Sequence, residues 1–336
     1  MNKYYLKKTI NGIPNIYKLE NFIGEGSNGF IFKAKHNNTG QKVAIKLLKP
    51  IQCFGNNTKF QMDCFYKEVY LYSKMNHPNI VKLIDKGVTN HKQPFFVFEF
   101  INGITLKDFI SGQKKLSTSL VKEVMSQVLD AINHFSSKGV IHCDLKPQNI
   151  MITNNRLQKQ VKIIDFGSSI MRKEIKQRQF KKVIRSNETQ IKGTPTYCAP
   201  EQLRGETPSV KCDLYAWGLI LIECLTGKTA IQGESITQII QQQLSDQAVT
   251  IPSNILSHPI GSILEKVLKK NPSLRSDKPD LIYEEFLKTN LKTLDIWFAS
   301  VTSTSKNQTY HTMINSLHGK NVFKQLKKIS RQLESK

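Results

Sequence analysis

Three short stretches of the chain hold side chains whose types and spacing suit the handling of phosphate. Gly24-Glu25-Gly26-Ser27-Asn28-Gly29 places three glycines in six positions. Glycine lacks the Cβ that keeps other backbones at a distance, so the N–H groups of such a loop can approach anionic oxygens; a plain hairpin turn has the same composition. Lys46 ends Val43-Ala44-Ile45, 22 residues after Gly24, and Glu68 lies 22 residues further on. A carboxylate there could pin the ammonium against a polyphosphate, although each charge alone also suits an ordinary surface position. His142-Cys143-Asp144-Leu145-Lys146-Pro147-Gln148-Asn149 then gathers an aspartate, a lysine and an asparagine in a loop that Pro147 is expected to keep from being helical. Asp165-Phe166-Gly167 begins 16 residues after Asn149. These groups would supply a carboxylate to orient a hydroxyl, a lysine to offset charge on a moving phosphoryl group, and an Asn/Asp pair of hard oxygen ligands for Mg²⁺.

Elements must hold these residues in place. Tyr17–Ile23, Phe30–Lys35, Val43–Leu47, Val81–Lys86 and Phe95–Phe100 read as strands, with a turn at Asn37–Gly40. A dinucleotide fold would follow its glycine run with a helix. Here Phe30-Ile31-Phe32-Lys33-Ala34-Lys35 follows and reads as a strand, giving a strand–glycine loop–strand hairpin. The periodicity predicts a helix from about Lys59 to Met75, stopped before Asn76-His77-Pro78, and further helices over Leu120–Lys138, Asp213–Thr226 and Ile260–Lys270. A strand-rich first third before a helical remainder predicts an α+β fold of two lobes.

Composition limits the classes open to the chain. Its 336 residues are 39% hydrophobic, enough for a sizeable core. The longest apolar stretch, Leu214–Leu225, is about a dozen residues, contains Glu223, and reads as a buried helix rather than a membrane span. Asn2, Lys3, Tyr4 and Tyr5 after Met1 give no signal-peptide core, and Cys53, Cys64, Cys143, Cys198, Cys212 and Cys224 form no CxxC pair. The expectation is an intracellular protein, cytoplasmic or nuclear, with reduced thiols and no transmembrane segment. Net charge is +23, with eight basic against two acidic residues both in 168–198 and in 289–336. Those stretches are either solvated faces or sites for an acidic partner; without interleaved aromatics they give no sign of specific nucleic-acid binding.

The order and spacing of these motifs resemble the eukaryotic protein kinases over residues 17–288, with an N-lobe at about 17–98 and a C-lobe at about 103–288; 289–336 would be a basic extension. The resemblance implies a bilobal fold, a small antiparallel β-sheet lobe with one helix and a larger helical lobe, binding ATP and Mg²⁺ in the cleft. By that likeness Ile23, Gly24, Glu25, Gly26, Ser27, Asn28 and Gly29 would cover the nucleotide. Lys46, held by Glu68, would bind its α/β-phosphates. Asp144 would orient the substrate hydroxyl, Lys146 would contact the γ-phosphate, and Asn149 and Asp165 would hold magnesium. Phe98 would be a gatekeeper, the backbones of Glu99 and Ile101 would meet adenine, and Ile31, Ala44 and Met151 would sandwich its ring. Ala199-Pro200-Glu201 would end the activation segment with Glu201 paired to Arg275, and Asp213 would lie beneath the catalytic loop. Phe166, His142, Tyr72 and Leu83 match the family's stacked column.

Lys146 and Gly193-Thr194-Pro195-Thr196-Tyr197, with Thr194 able to reach Asp144, resemble the serine/threonine type. The reaction implied is transfer of the ATP γ-phosphate to Ser/Thr hydroxyls of protein substrates. The alternative is a pseudokinase scaffold that binds partners without transfer. Cys143 stands where the family usually has arginine. His142-Cys143-Asp144 and Asp165-Phe166-Gly167-Ser168-Ser169 resemble the dual-specificity tyrosine-regulated group, whose Tyr-x-Tyr is absent here. Ser186 and Thr189 are candidate phosphorylation sites, and Val322, Leu326, Ile329 and Leu333 would share one face of a basic amphipathic helix, suited to an acidic partner or to the chain's own surface.

Overall fold

The computed structural model describes residues 16–25, 29–49, 58–89, 93–113, 116–153, 159–172 and 195–294. The chain divides into two units, Met1–Thr289 and Asn290–Lys336; of the second only 290–294 are described, so the amphipathic stretch around Val322–Leu333 lies outside them.

The first unit opens with strands β1 (Tyr17–Glu25), β2 (Gly29–His36) and β3 (Lys42–Leu48), helix α1 (Thr58–Ser73), and strands β4 (Leu83–Val88) and β5 (Pro94–Glu99). The five strands form one antiparallel sheet in the order β1-β2-β3-β5-β4. One face is lined by Tyr17, Phe30, Phe32, Ala34, Val43, Ile45, Leu47, Phe95 and Val97, the period-2 apolar set of half-buried strands. Gly29 is required by a close approach. A Cβ on it would lie 2.5 Å from the Leu47 carbonyl oxygen, so any side chain would push β2 off β3.

Beyond β5 come β6 (Gly103–Thr105), α2 (Leu106–Gln113), α3 (Thr118–Ser137), β7 (Val140–Ile141), β8 (Ile150–Thr153), β9 (Val161–Ile163) and β10 (Ile170–Met171). Five helices follow, α4 (Pro200–Leu203), α5 (Val210–Thr226), α6 (Ile236–Leu244), α7 (Ser253–Leu256) and α8 (Pro259–Val267), then α9 (Pro279–Lys288). The chain is thus a β-sheet lobe followed by a mainly helical one, the α+β architecture expected.

α5 is apolar on nearly every face, the signature of a central helix, and is buried from Val210 to Leu225 except Lys211. Ser209 caps its start and Gly227, at φ +73°, its end. Trp217 Nε1 donates to the Met125 carbonyl at 3.0 Å, tying α5 to α3. Two expectations shift. The strand expected at Val81–Lys86 runs Leu83–Val88, because the Val81 amide is spent on the Ile163 carbonyl before pairing with β5 begins. Pro147 does not exclude helical geometry: Pro147–Asn149 is one 3₁₀ turn, with proline at the first position, where its missing N–H costs nothing.

Candidate active site

β3 delivers Lys46 to the inner side of the sheet, where α1 meets it with Glu68. The Lys46 ammonium lies 3.2 Å from Glu68 Oε1 and 2.7 Å from Asp165 Oδ1. Both Lys46 and Glu68 are 7% exposed, so the surface reading of these charges is excluded. Burial by itself would lower the lysine pKa, but the two carboxylates outweigh it and hold the ammonium charged. Glu68 sits above its ordinary range, because burial and repulsion from Asp165 together exceed the pull of Lys46. Asp165 goes the other way: burial would raise it, and Lys46 with the Gly167 N–H brings it below the usual range. Its backbone is left-handed, at φ +66°, a conformation that non-glycine residues adopt where surrounding contacts enforce it.

Asp213, in the first turn of α5, sets the second half of the site. Its two carboxylate oxygens accept the N–H groups of His142 and Cys143, each at 2.9 Å, and so hold Cys143 at φ +65°. Burial pushes the Asp213 pKa up to about 7 against the opposing effect of those two donors. The turn held there projects Asp144 outward. Lys146 Nζ donates to both Asp144 oxygens, at 3.0 and 2.8 Å, and Asn149 Nδ2 donates to the Asp144 carbonyl at 2.8 Å and to Oδ2 at 3.2 Å. With its amide nitrogen committed there, Asn149 keeps Oδ1 as a hard ligand, and Asp165 adds a carboxylate. That oxygen set fits Mg²⁺.

A column of rings joins the halves. His142 and Phe166 lie 4.8 Å apart, Phe166 and Tyr72 5.3 Å, and Tyr72 and Phe98 4.9 Å. The Phe166 N–H donates to Tyr72 Oη at 3.3 Å, and Ser169 Oγ donates to the His142 carbonyl at 3.1 Å. Leu83 faces Phe98 across the β4–β5 ladder.

Residues expected around the nucleotide come from the five-stranded sheet, from the segment after β5 and, for Met151, from β8 in a separate sheet. Ile23 is 53% exposed, and a Cβ at Gly24 would meet nothing within 4 Å, so the space beside β1 is open. Glu25 pairs with Lys49 at 2.8 Å. Ile31 lies opposite Lys46, Ala44 opposite Phe98, and Met151 opposite Lys162, while Ile101 is half-buried after β5. The Glu99 N–H donates to the Lys82 carbonyl and is not free for a base; its carboxylate accepts from Lys162 Nζ at 2.6 Å. Gly26, Ser27, Asn28 and Thr194 lie outside the described residues, as do Ser186 and Thr189.

The segment after Thr194 is clamped from three sides. Arg275 donates to both Glu201 oxygens, at 2.6 and 3.1 Å, in a buried bidentate pair. Gln243 Nε2 donates to the Pro195 and Thr196 carbonyls at 3.3 and 2.9 Å, while its Oε1 accepts from Tyr215 Oη at 2.6 Å. Gln202 Nε2 donates to the Cys143 carbonyl at 2.8 Å and its Oε1 accepts the Ala199 N–H at 3.1 Å, so one amide bridges this segment and the turn at Cys143.

Comparison with known proteins supplies the family. The protein kinase domain family matches residues 17–287. The chain belongs to the protein kinase family. It is 30% identical to serine/threonine-protein kinase pkn3 of Myxococcus xanthus over 87% of this chain and 51% of that protein. It is 33% identical to a probable serine/threonine-protein kinase PknB of Bifidobacterium longum over 70% and 34% of the two, and 29% identical to human serine/threonine-protein kinase ULK1 over 81% and 25%. The chain thus spans between a quarter and about half of these relatives' length.

Within the kinase domain, sequence reasoning passed over Gln202 and Gln243. Gln202 adjoins Ala199-Pro200-Glu201, where only its position hints at a role. Gln243 is the buried residue of α6, whose Ile236 is exposed and whose Ile239 and Ile240 are half-buried, so the apolar pattern of that helix does not point to it; its burial calls for the hydrogen bonds it makes.

Proposed function

We propose that the chain is an active serine/threonine protein kinase that transfers the γ-phosphoryl group of ATP to hydroxyls of protein substrates. One observation carries this reading: Lys46 is shared between Glu68 and Asp165 while Lys146 and Asn149 grip Asp144, a set of contacts that supports transfer. In this reading residues 17–288 are the catalytic domain and 289–336 a basic extension suited to an acidic partner. Location inside the cell, cytoplasmic or nuclear, belongs to the same proposal; among the described residues no helix is long and apolar enough to cross a membrane.

Mg²⁺, held by Asn149 and Asp165, would neutralise phosphate charge. Asp144 accepts a hydrogen bond from the incoming hydroxyl and directs its lone pair at phosphorus. Lys146 meets the γ-phosphoryl oxygens, and Lys46 fixes the α/β-phosphates. Preorganised charge of this kind costs no rearrangement during reaction. Asp144→Asn is expected to lower kcat by about 10²–10⁴-fold, the usual worth of a positioned base, with nucleotide affinity nearly unchanged. Radiolabelled ATP with a generic basic protein measures this. Transfer by the variant at the parent rate would assign Asp144 another role, and no transfer by the parent would favour the scaffold. Likeness to the dual-specificity group rests on His142-Cys143-Asp144 and Asp165–Ser169 alone. Phosphoamino-acid analysis of the products tests it, phosphoserine and phosphothreonine without phosphotyrosine being the expected outcome.

A further inference from the structure

Three thiols surround one small cavity beneath the catalytic turn. Cys143, Cys198 and Cys212 line it together with Asp144 and Asp213. Although 69 positions separate them in sequence, Cys143 and Cys212 meet at this cavity through Asp213, whose Oδ1 accepts the Cys143 N–H at 2.9 Å and lies 4.0 Å from the Cys212 thiol; the Cys143 thiol donates to the Ile141 carbonyl at 3.7 Å. Cys212 is 1% exposed, in the first turn of α5; its thiol donates to the Ser209 carbonyl at 2.9 Å and lies 4.0 Å from Asp213 Oδ1. Cys143 is half-buried and immediately precedes Asp144, so it is the member of the pair that a small solute in the cleft can reach. Burial pushes the Cys198 thiol up to about 12 and Cys212 well above its ordinary value, which keeps both as thiols in the resting protein.

We propose that Cys143 and Cys212 form an oxidisable dithiol whose reactant is a hydroperoxide and whose disulfide disables Asp144. Cys143 sulfur attacks the peroxide O–O bond, giving a sulfenic acid and releasing the alcohol, or water when the reactant is hydrogen peroxide. Cys212 sulfur then attacks the sulfenic sulfur, and its hydrogen leaves with the sulfenic oxygen as water. Two thiols lose two electrons and two protons, and one hydroperoxide is reduced. A disulfide requires sulfurs about 2.05 Å apart, closer than two separate thiols lining a cavity can lie. Cys212 is locked in a buried helix, so the displacement falls on residue 143, between the Asp213 carboxylate that holds its N–H and the Gln202 amide on its carbonyl. Asp144 follows directly. Misplacement of a reacting group by about 1 Å can cost 10²-fold in rate. The family's usual arginine at position 143 has no such chemistry.

Formation of the bond stands independently of the kinase reading; only its effect on rate rests on it. The test treats the full chain, carrying Cys64→Ser so that the exposed thiol of α1 does not cross-link molecules, with hydrogen peroxide. Peptide mapping by mass spectrometry is expected to find a Cys143–Cys212 cross-link, with intact mass lower by two hydrogens and full reversal by dithiothreitol. Phosphotransfer should fall about tenfold or more with ATP affinity, read by equilibrium binding, little changed. A Cys212→Ala variant, compared with its own untreated rate, should resist. A cross-link to Cys198 instead, no cross-link at all, or equal inactivation of Cys212→Ala would overturn the proposal. Because mapping uses the parent cysteines, a poorly folding variant does not remove the test.

Discussion

Lys46 is the cation between two carboxylates in a nearly dry setting. Lys46→Met would leave Glu68 buried beside Asp165 without its cation, while Asp165 would keep only the Gly167 N–H. Breaking a buried pair by removing one partner costs about 3–5 kcal/mol, so both transfer and stability should fall. Lys46→Met combined with Glu68→Gln should recover most of the stability without restoring activity. Urea midpoints and rates for the parent, single and double variants check this, and a single variant as stable as the parent would show the pair to be energetically idle. A second residue-scale expectation concerns His77 and His134, whose rings lie 4.9 Å apart and are both held below pKa 6.5, chiefly by burial. As pH falls below 6.5 the unfolded chain takes up protons that the fold refuses, so the native state loses stability toward acid. His134→Gln removes one such site. Its urea midpoint should therefore gain on that of the parent between about pH 7.5 and about pH 5.5, and a constant difference would exclude the effect.

At the scale of elements, position is set by backbone approach and by amide bridges. Gly29→Ala would drive a Cβ against the Leu47 carbonyl and should cost about 1–3 kcal/mol, the usual range for overpacking, seen as a lower Tm. Gln202→Leu removes the bridge between the segment at Ala199 and the turn at Cys143. Because that bridge lies away from the nucleotide side, the expected signature is a lower kcat and a raised KM for peptide with KM for ATP unchanged. Gln202→Glu should retain the acceptor for the Ala199 N–H but not the donor to Cys143, and so give an intermediate loss. Equal losses in both KM values would mean that Gln202 serves the fold alone. Several of these elements were plain in the sequence. β1, β2, β3 and β5, α1, α3 and α5 fall where alternation or helical periodicity puts them, because the burial of one face imposes the same period on sequence and structure. β4 starts later than its apolar residues suggest, since Val81 is claimed by Ile163 from the other lobe, a contact no local pattern contains.

For the whole molecule, Cys143 changes how activity should be controlled. An arginine before the catalytic aspartate lets an activation-segment phosphate order the loop through charge-assisted hydrogen bonds. Here that order comes from Asp213 on two backbone N–H groups, the packing of His142 and Phe166, and the Gln202 bridge, none of which needs a phosphate. Dephosphorylated protein, verified by mass spectrometry, should therefore keep kcat/KM within about tenfold of the untreated protein, a change below about 1.4 kcal/mol. A larger fall would mean that another cation stands in for the missing arginine.

The sequence by itself determined the family and the two-lobed succession of strands and helices, and it nominated Lys46, Glu68, Asp144, Lys146, Asn149 and Asp165 for transfer, because that chemistry restricts residue type and the spacing follows the elements between. Only the tertiary structure decided that Lys46 and Glu68 are buried rather than exposed, since burial depends on α1 closing over β3. It alone brought Gln202 against Cys143, set Gln243 against the Pro195 carbonyl, and brought Cys212 and Cys143 to one cavity. Amides and thiols carry no distinguishing pattern along a chain. Their roles arise from partners that are close only after α5 and α6 have packed beneath the catalytic turn.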